Sequence, residues 1–341
     1  MRKVALAVLC LALLASGGLV SAGCGGGEDL TVTWKAATYS LAGDPLTDLW
    51  YDYADLLAEE SDGRLELKLF PGGTLYTMSQ MFDAVSTGAV DMCCAPLTYF
   101  ITQCPKTVVI LTYPNFVFTD TQTIVDSQKA LIEEMSCIGN ESAANDIMYA
   151  MWQFPSNCNF YFNKPVDSLA DIAGMKMGCP GGMGKAAVAA LGASPVELDA
   201  SQFYEAAQSG LVDGIAFVPL DVFVNLKVYD LLPYVVLYNL ASAFPAAINT
   251  DSFNKLTEDL QEIVSEAADE IEVKGVESYL EVQDDLLETL GSDPDVNVYT
   301  LPPAERAVWT ARVVAVLDGM LTRYLTAAEI TEMHTILDRY E

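Results

Sequence analysis

Residues 63–92 read GRLELKLFPGGTLYTMSQMFDAVSTGAVDM, and the folding of this stretch decides the architecture of the chain. Arg64–Phe70 alternates apolar and polar side chains, the period of a half-buried strand. Pro71-Gly72-Gly73 ends it, Ser79–Thr87 has helical spacing, and Ala89–Cys94 is a short apolar strand closed by Pro96. Upstream, Leu30–Thr38 alternates as a strand. Asp44-Pro45 then supplies an N-cap and a helix-starting proline, followed by Leu46, Leu49, Trp50, Tyr53 and Leu57 on one helical face. Strand, helix, strand, helix, strand is the order of a parallel sheet with helices on its faces.

The order recurs after a change in the middle. Tyr149–Phe154, Phe160–Asn163 and Met175–Cys179 are strand-like, Lys185–Leu191 helical, Pro195–Leu198 a strand, Gln202–Ser209 a helix and Gly214–Val218 a strand. Two such units predict two α/β lobes, and a cleft between lobes is the expected ligand site. Phe253, Leu256, Leu260, Ile263, Ala267 and Ile271 recur at spacings of three and four, which predicts a long amphipathic helix reaching Leu290 with a solvated acidic face. Residues 171–184, DIAGMKMGCPGGMG, carry a strand into a glycine-rich turn before a helix, a common place to hold a small ligand. No side chain from Met177 to Gly184 is charged.

Residues 1–23 have a basic start, an apolar run and a small-residue end, the pattern of a secretory signal peptide. The ending resembles a bacterial lipobox, with Cys24 as the lipid-modified first mature residue and 25–29 as a flexible tether. Ordinary cleavage after Ala22 is the alternative. The expected product is an exported protein of the cell envelope, held at the membrane by its N-terminal lipid. The net charge is −30, and loss of Arg2 and Lys3 makes the mature chain still more acidic. With no basic stripe, such a chain repels phosphate backbones, so nucleic acid is excluded as a partner. Cys93, Cys94, Cys104, Cys137, Cys158 and Cys179 remain after Cys24. Export permits disulfides, so bridges and buried free thiols both stay open, with Cys158–Cys179 the first pair to test. The spacing fits no metal site.

Catalytic chemistry is poorly represented. The one histidine, His334, sits among Met333, Ile336 and Leu337 in the last helix, and G-x-S-x-G and H-E-x-x-H are absent. Gly184-Lys185 is followed by Ala186 and lacks the earlier glycine of a phosphate loop. No cofactor is expected. The competing reading is an exported α/β enzyme acting on a small organic molecule; another is a receptor that serves a sensor rather than transport.

Six phrases in order resemble one family. They are the opening stretch 63–92, FNKPVDSLADIAGMKMGCPGG (162–182), LGASPVELDASQFYEAAQSGLVDGIAF (191–217), KVYDLLPYV (227–235), INTDSFNKLTEDLQEIVSEAADE (248–270) and VYTLPPAERAVW (298–309). The resemblance is to the solute-binding proteins of tripartite ATP-independent periplasmic (TRAP) transporters, of the dicarboxylate-binding type, and it covers nearly all of the mature chain. It implies an α/β, two-lobed periplasmic binding protein fold, with lobe I formed by 30–153 plus 244–283 and lobe II by 154–243 plus 284–341. It also implies a long helix spanning both lobes and delivery of a small organic solute to a membrane permease.

Where the family carries the arginine that clamps a substrate carboxylate, this sequence has Gly178, and no arginine occurs between Arg64 and Arg306. A bidentate charge-assisted pair of that kind contributes roughly 1.5–3 kcal/mol. A second position often basic in the family falls at Ser156-Asn157. The implied contact positions are Tyr39, Tyr76, Pro96, Trp152, Phe154, Asn157, Gly178, Phe217 and Phe244. Aromatic walls favour a bulky, flat or largely neutral solute. The alternative is an organic acid held by backbone N–H groups after Pro180-Gly181-Gly182, with Lys176, Lys185 or Lys35 nearby.

Overall fold

The computed structural model describes residues 31–154, 157–181 and 183–340. The signal-peptide, Cys24 and tether readings fall outside the described residues, as do Ser156 and Gly182. Two sheets organise the chain. The first holds β1 (Val32–Thr38), β2 (Leu65–Phe70), β3 (Met92–Cys94), β4 (Ile147–Gln153) and β10 (Phe244–Asn249), in the order β2-β1-β3-β10-β4. The second holds β5 (Cys158–Phe162), β6 (Lys176–Cys179), β7 (Ser194–Glu197), β8 (Gly214–Pro219), β9 (Tyr234–Leu240) and β11 (Asn297–Thr300), in the order β11-β9-β5-β8-β6-β7. β1 runs parallel to both neighbours, with Val32 opposite Leu65 and Ala36 opposite Met92, as the opening stretch predicts. β10 enters antiparallel between β3 and β4.

The chain passes from one sheet to the other between β4 and β5 and again between β9 and β10. The helix Glu258–Gly291 bridges them a third time. It packs on the helix Pro45–Glu60 and β4 at the first sheet, and on the helix Leu220–Asn225 and β11 at the second. The predicted two-lobed α/β architecture with a long spanning helix is therefore present. The helix starts later than the apolar spacing predicts. Thr250–Asn254 is a separate turn of helix, and Thr257 is extended (φ −68°, ψ 156°), so a new N-terminus forms with Glu258 and Asp259 complementing its dipole.

The helix Pro45–Glu60 buries Leu46, Leu49, Trp50, Tyr53 and Leu57, the predicted face. Its N-cap Asp44 accepts the Leu46 amide at 2.9 Å. Trp50 Nε1 donates to Gln153 at 3.0 Å and the Tyr53 hydroxyl to the Val264 carbonyl at 3.1 Å, which ties the first helix to β4 and to the long helix.

Three strand residues have left-handed backbone: Met151 (φ 49°), Phe217 (φ 57°) and Asn239 (φ 54°). Each falls where the ladder register shifts, on β4 opposite Pro245/Ala246, on β8 opposite Asn159/Phe160, and on β9 opposite Cys158/Phe160. A bulge of this kind bends the strand and re-aims a side chain. Asn159 ties the distorted segment of β9 to the residues just before β5: its Oδ1 accepts the Asn239 amide and its Nδ2 donates to the Asn157 carbonyl, both at 2.9 Å.

All six cysteines beyond Cys24 are free and buried. Cys158 lies on β5 and Cys179 on β6, with β8 between them. Strands are spaced about 4.8 Å apart, so the two are roughly 9–10 Å apart, beyond disulfide reach. The Cys158–Cys179 pair does not form.

Candidate functional site

Between the sheets lies a cavity of about 160 Å³. Tyr39, Pro96 and Phe244 close it from the strand ends of the first sheet, and Cys158, Phe217 and Val218 from the second. The helix Pro105–Val117 contributes Thr112, Asn115 and Phe116, and the helix Pro303–Tyr324 contributes Val313 and Leu317. No lysine, arginine, histidine, aspartate or glutamate is among the described wall residues. The rings are organised around the bulge at Phe217. Its ring meets Phe116, another wall residue, edge to face at 6.2 Å and Phe160 at 4.8 Å, and Phe160 in turn meets Trp309 at 5.0 Å. On the opposite wall Tyr39 lies 6.0 Å from Phe244. A bulky residue with positive φ is strained, and here the strain aims an aromatic ring into a cavity.

A second chamber of about 310 Å³ adjoins the first and shares Tyr39, Met78, Ala200 and Val222 with it. Its charged wall residues are Asp44 and Asp199. The Tyr99 hydroxyl reaches from the first-sheet side to Asp199 at 3.5 Å. Burial first, and then the charge of Asp221, pushes the Asp44 carboxyl up to about 7. The Tyr39 hydroxyl is buried with no hydrogen-bond partner among the described residues. Burial, with Cys94, Asp221 and Asp44 adding to it, raises its pKa well above the phenol range.

The structure brings Tyr39, Pro96, Phe217 and Phe244 together around the first cavity. The other expected contacts stand elsewhere. Trp152 is 6% exposed and packs with Ile124, Val125 and Ala243, its Nε1 donating to Gln128 at 2.8 Å. Phe154 is buried in the same cluster. Tyr76 is half-buried against the first-sheet core and forms no wall of either chamber. Asn157 faces an outer groove, where its amide donates to Gln283 at 3.0 Å and its Oδ1 accepts the Tyr279 hydroxyl.

Gly178 needs the firmest correction. It is paired with β7 and β8 on either side, and a Cβ there would meet Leu198 at 3.0 Å and Ile215 and Val212 at 3.5 Å. Those three side chains belong to the buried cluster behind the second sheet. Alternation therefore turns position 178 away from the cavity, and Met177 and Cys179 toward the opposite face.

The helix start after Pro180-Gly181 is already faced by a carboxylate. A Cβ on Gly181 would collide with the Glu197 side chain, and Lys185 is paired with Glu197 at 3.0 Å. Lys35 and Lys176 are exposed and line neither chamber. Arg306, the first arginine after the long gap, lines the outer groove. It spends Nε on the Tyr238 carbonyl at 2.8 Å and lies over the Tyr238 ring at 5.2 Å. Sequence reasoning missed Tyr99, Thr112, Phe116, Met183 and Phe203. The only signal for Tyr99 was its place just after Pro96, at the end of a parallel strand, where ligands gather.

The family described as bacterial extracellular solute-binding protein, family 7 (DctP), matches residues 37–323. Among curated relatives, the chain is 26% identical over 220 residues to the 2,3-diketo-L-gulonate-binding periplasmic protein YiaO of Escherichia coli, covering 64% of this chain and 66% of that protein. It is 24% identical over 223 residues to the sialic acid-binding periplasmic protein SiaP of Vibrio cholerae, covering 64% and 67%. The match to the first of these spans just under two thirds of its length. Among solved structures, the Bordetella pertussis receptor DctP7, which binds pyroglutamic acid, superposes with a TM-score of 0.79 at 18% identity, covering 91% of this chain and 99% of that one. A TRAP periplasmic solute binding protein from Desulfovibrio salexigens with bound orotic acid gives 0.79 at 23% identity, covering 90% and 98%.

Proposed function

The chain belongs to the DctP family of bacterial extracellular solute-binding proteins, the TRAP receptors that its six phrases resemble, and from that premise we propose that it captures a small organic solute in the cavity between its sheets and delivers it to a membrane permease. The single observation that carries the chemical class is the cavity wall: rings on several sides and no charged side chain. A dry engineered cavity of about 150 Å³ accepts benzene, so this one suits a solute with a single ring or a comparable apolar group. That is smaller than the bulky solute anticipated from the aromatic count. The lobes, divided at 153/154, 243/244 and 283/284, hinge where the chain crosses between sheets. A solute favours closure only by contacting the closed form better than the open one. The surface that closure creates is then what the permease reads.

The binding reading differs from an enzyme in a measurable way: solute comes back unchanged after closure. Lipid attachment at Cys24 rests on residues 19–24 and is tested by the mass of the mature N-terminal peptide. For the solute class, the test is a set of single-ring neutral solutes beside simple dicarboxylates, read by calorimetry and melting temperature. Trp309, in contact with Phe217 through Phe160, is the expected fluorescent reporter. Neutral ring compounds should bind and raise the melting temperature, and Phe217→Ala should weaken them about 10- to 100-fold, the equivalent of roughly 1.5–3 kcal/mol of ring burial. Dicarboxylates that stabilise the protein while ring compounds leave it unmoved would overturn the reading.

A further inference from the structure

The outer groove that Asn157 and Arg306 line encloses about 1140 Å³, the scale of a small-molecule site. Its walls and those of the first cavity have Phe116 in common and are otherwise formed by different residues. The groove lies over the places where the chain crosses between sheets. Asn157 belongs to the first crossing, Asn239 to the end of β9 before the second, and Tyr279 and Gln283 to the long helix. A run of hydrogen bonds joins these segments. Arg306 Nη2 donates to the Asn239 carbonyl at 3.4 Å, and the Asn239 amide to Asn159 Oδ1 at 2.9 Å. Asn159 Nδ2 donates to the Asn157 carbonyl at 2.9 Å, and the Asn157 amide to Gln283 Oε1 at 3.0 Å. Asn159 is fully buried, so this wall is fixed before any ligand arrives.

Arg306 is the one cationic side chain among the described wall residues, and it is held without being neutralised. Its Nε bond and the Tyr238 ring orient the guanidinium, and both oxygens it binds are backbone carbonyls. It takes part in none of the ion pairs among the described residues, although the chain carries a net charge of −30. Both hydrogens of Nη1 and one of Nη2 are left to donate. Next to it, the Asn239 side chain makes no hydrogen bond among the described residues, and Gln283, with its oxygen on the Asn157 amide, keeps Nε2 to donate. The one carboxylate among the described wall residues, Asp120, is turned to its own helix start, where Oδ2 accepts the Thr123 amide at 2.8 Å and the Thr123 hydroxyl at 2.7 Å. The helices Thr121–Glu134 and Pro303–Tyr324 both begin in the walls, and their dipoles add positive potential there. A guanidinium without a counter-charge, with carboxamides in the same wall, is built to receive a carboxylate. Leu237, Val276, Leu287 and Val314 supply apolar wall beside it.

We propose that the outer groove is a second ligand site, taking an amphiphilic organic acid whose carboxylate pairs with Arg306 and whose apolar body lies along Leu237, Leu287 and Val314. The site stands whatever the first cavity holds.

Octanoate, octan-1-ol and octylamine share a tail and differ in head group, and the three decide it. Each is titrated calorimetrically into the purified protein at pH 7 and about 0.15 M salt, where repulsion from the net charge is screened beyond roughly 8 Å. Octanoate should bind at least tenfold tighter than the alcohol, with the amine weakest. Arg306→Gln should remove about tenfold or more of the octanoate affinity. Asn239→Asp is nearly isosteric, suits the left-handed backbone (φ 54°), and sets a carboxylate beside the guanidinium; it should weaken octanoate to a similar extent, and it decides alone should Arg306→Gln not fold. Phe217→Ala, which alters the first cavity, should leave octanoate unmoved. The proposal is overturned if octanoate gives no heat, if the alcohol binds as tightly, or if octanoate affinity survives both groove substitutions. Octanoate binding lost in Phe217→Ala and intact in Arg306→Gln would put the acid in the first cavity, which overturns both this site and the neutral-solute reading. Weaker binding of neutral ring compounds in Phe217→Ala tests that reading alone.

Discussion

Asp44 does two things that oppose each other. Its carboxylate caps the helix Pro45–Glu60, which favours the ionised form, yet burial and the Asp221 charge hold its pKa near 7. An unfolded aspartate titrates near 3.9. Because the folded value is the higher one, the stability linked to this proton is fully present below about pH 4 and is lost as pH rises toward 7, on the order of 2–4 kcal/mol. Asparagine keeps the cap and cannot ionise. Melting curves of Asp44→Asn should therefore lie above those of the parent at pH 8 and converge with them at pH 4; parallel curves would refute the assignment. Gly178 supports a second prediction at this scale. Arginine there would bury a guanidinium against Leu198, Val212 and Ile215, so Gly178→Arg should lose about 3–5 kcal/mol of stability without creating affinity for dicarboxylates. The identity of Gly178 was legible and its direction was not, because one residue of register reverses the face. Trp152 was misplaced for a similar reason: an aromatic at a strand end is equally suited to a pocket or to a core, and a hydrogen bond to Gln128 settles it as core.

At the scale of elements, the strands were readable and two wall-forming helices were not. The alternation of Arg64–Phe70 and the apolar face of Pro45–Glu60 each follow one period, and each is buried as that period requires. The helix Pro105–Val117 is buried continuously from Thr107 to Asn115. A helix enclosed on all sides carries no polar stripe, so spacing cannot reveal it, and Phe116 and Thr112 went unseen with it. The aromatic walls that were anticipated sit at or beside strand ends, Tyr39 after β1 and Phe244 at the start of β10. The long helix carries its own prediction. Gly275 lies mid-helix, where a Cβ would meet Phe154 at 3.0 Å and Leu49 at 3.4 Å. Its absence of a side chain lets the helix approach the crossing segment closely, offsetting roughly 1 kcal/mol of lost helix propensity. Gly275→Leu should cost about 1–3 kcal/mol through overpacking, measured by chemical denaturation; a neutral result would mean the crossing is loosely packed.

At the scale of the whole molecule, charge and redox chemistry dominate. The seven ion pairs among the described residues have mostly half-exposed partners and contribute little against a net charge of −30. Raising ionic strength from about 0.01 M to 0.15 M shortens the screening length from roughly 30 Å to 8 Å. The melting temperature should rise over that interval, since repulsion is screened more than attraction; a fall would show the ion pairs to be the stronger influence. The six thiols bear on how the protein reaches this state. Once folded, each is shielded from oxidants by the packing around it, and burial pushes the thiol pKa upward at Cys93, Cys94 and Cys158. An unfolded chain has no such shelter, and those sulfurs are then open to any oxidant present. Under oxidising conditions folding is thus a race, in which collapse of the two lobes has to outrun oxidative cross-linking of sulfurs that are all free in the folded protein.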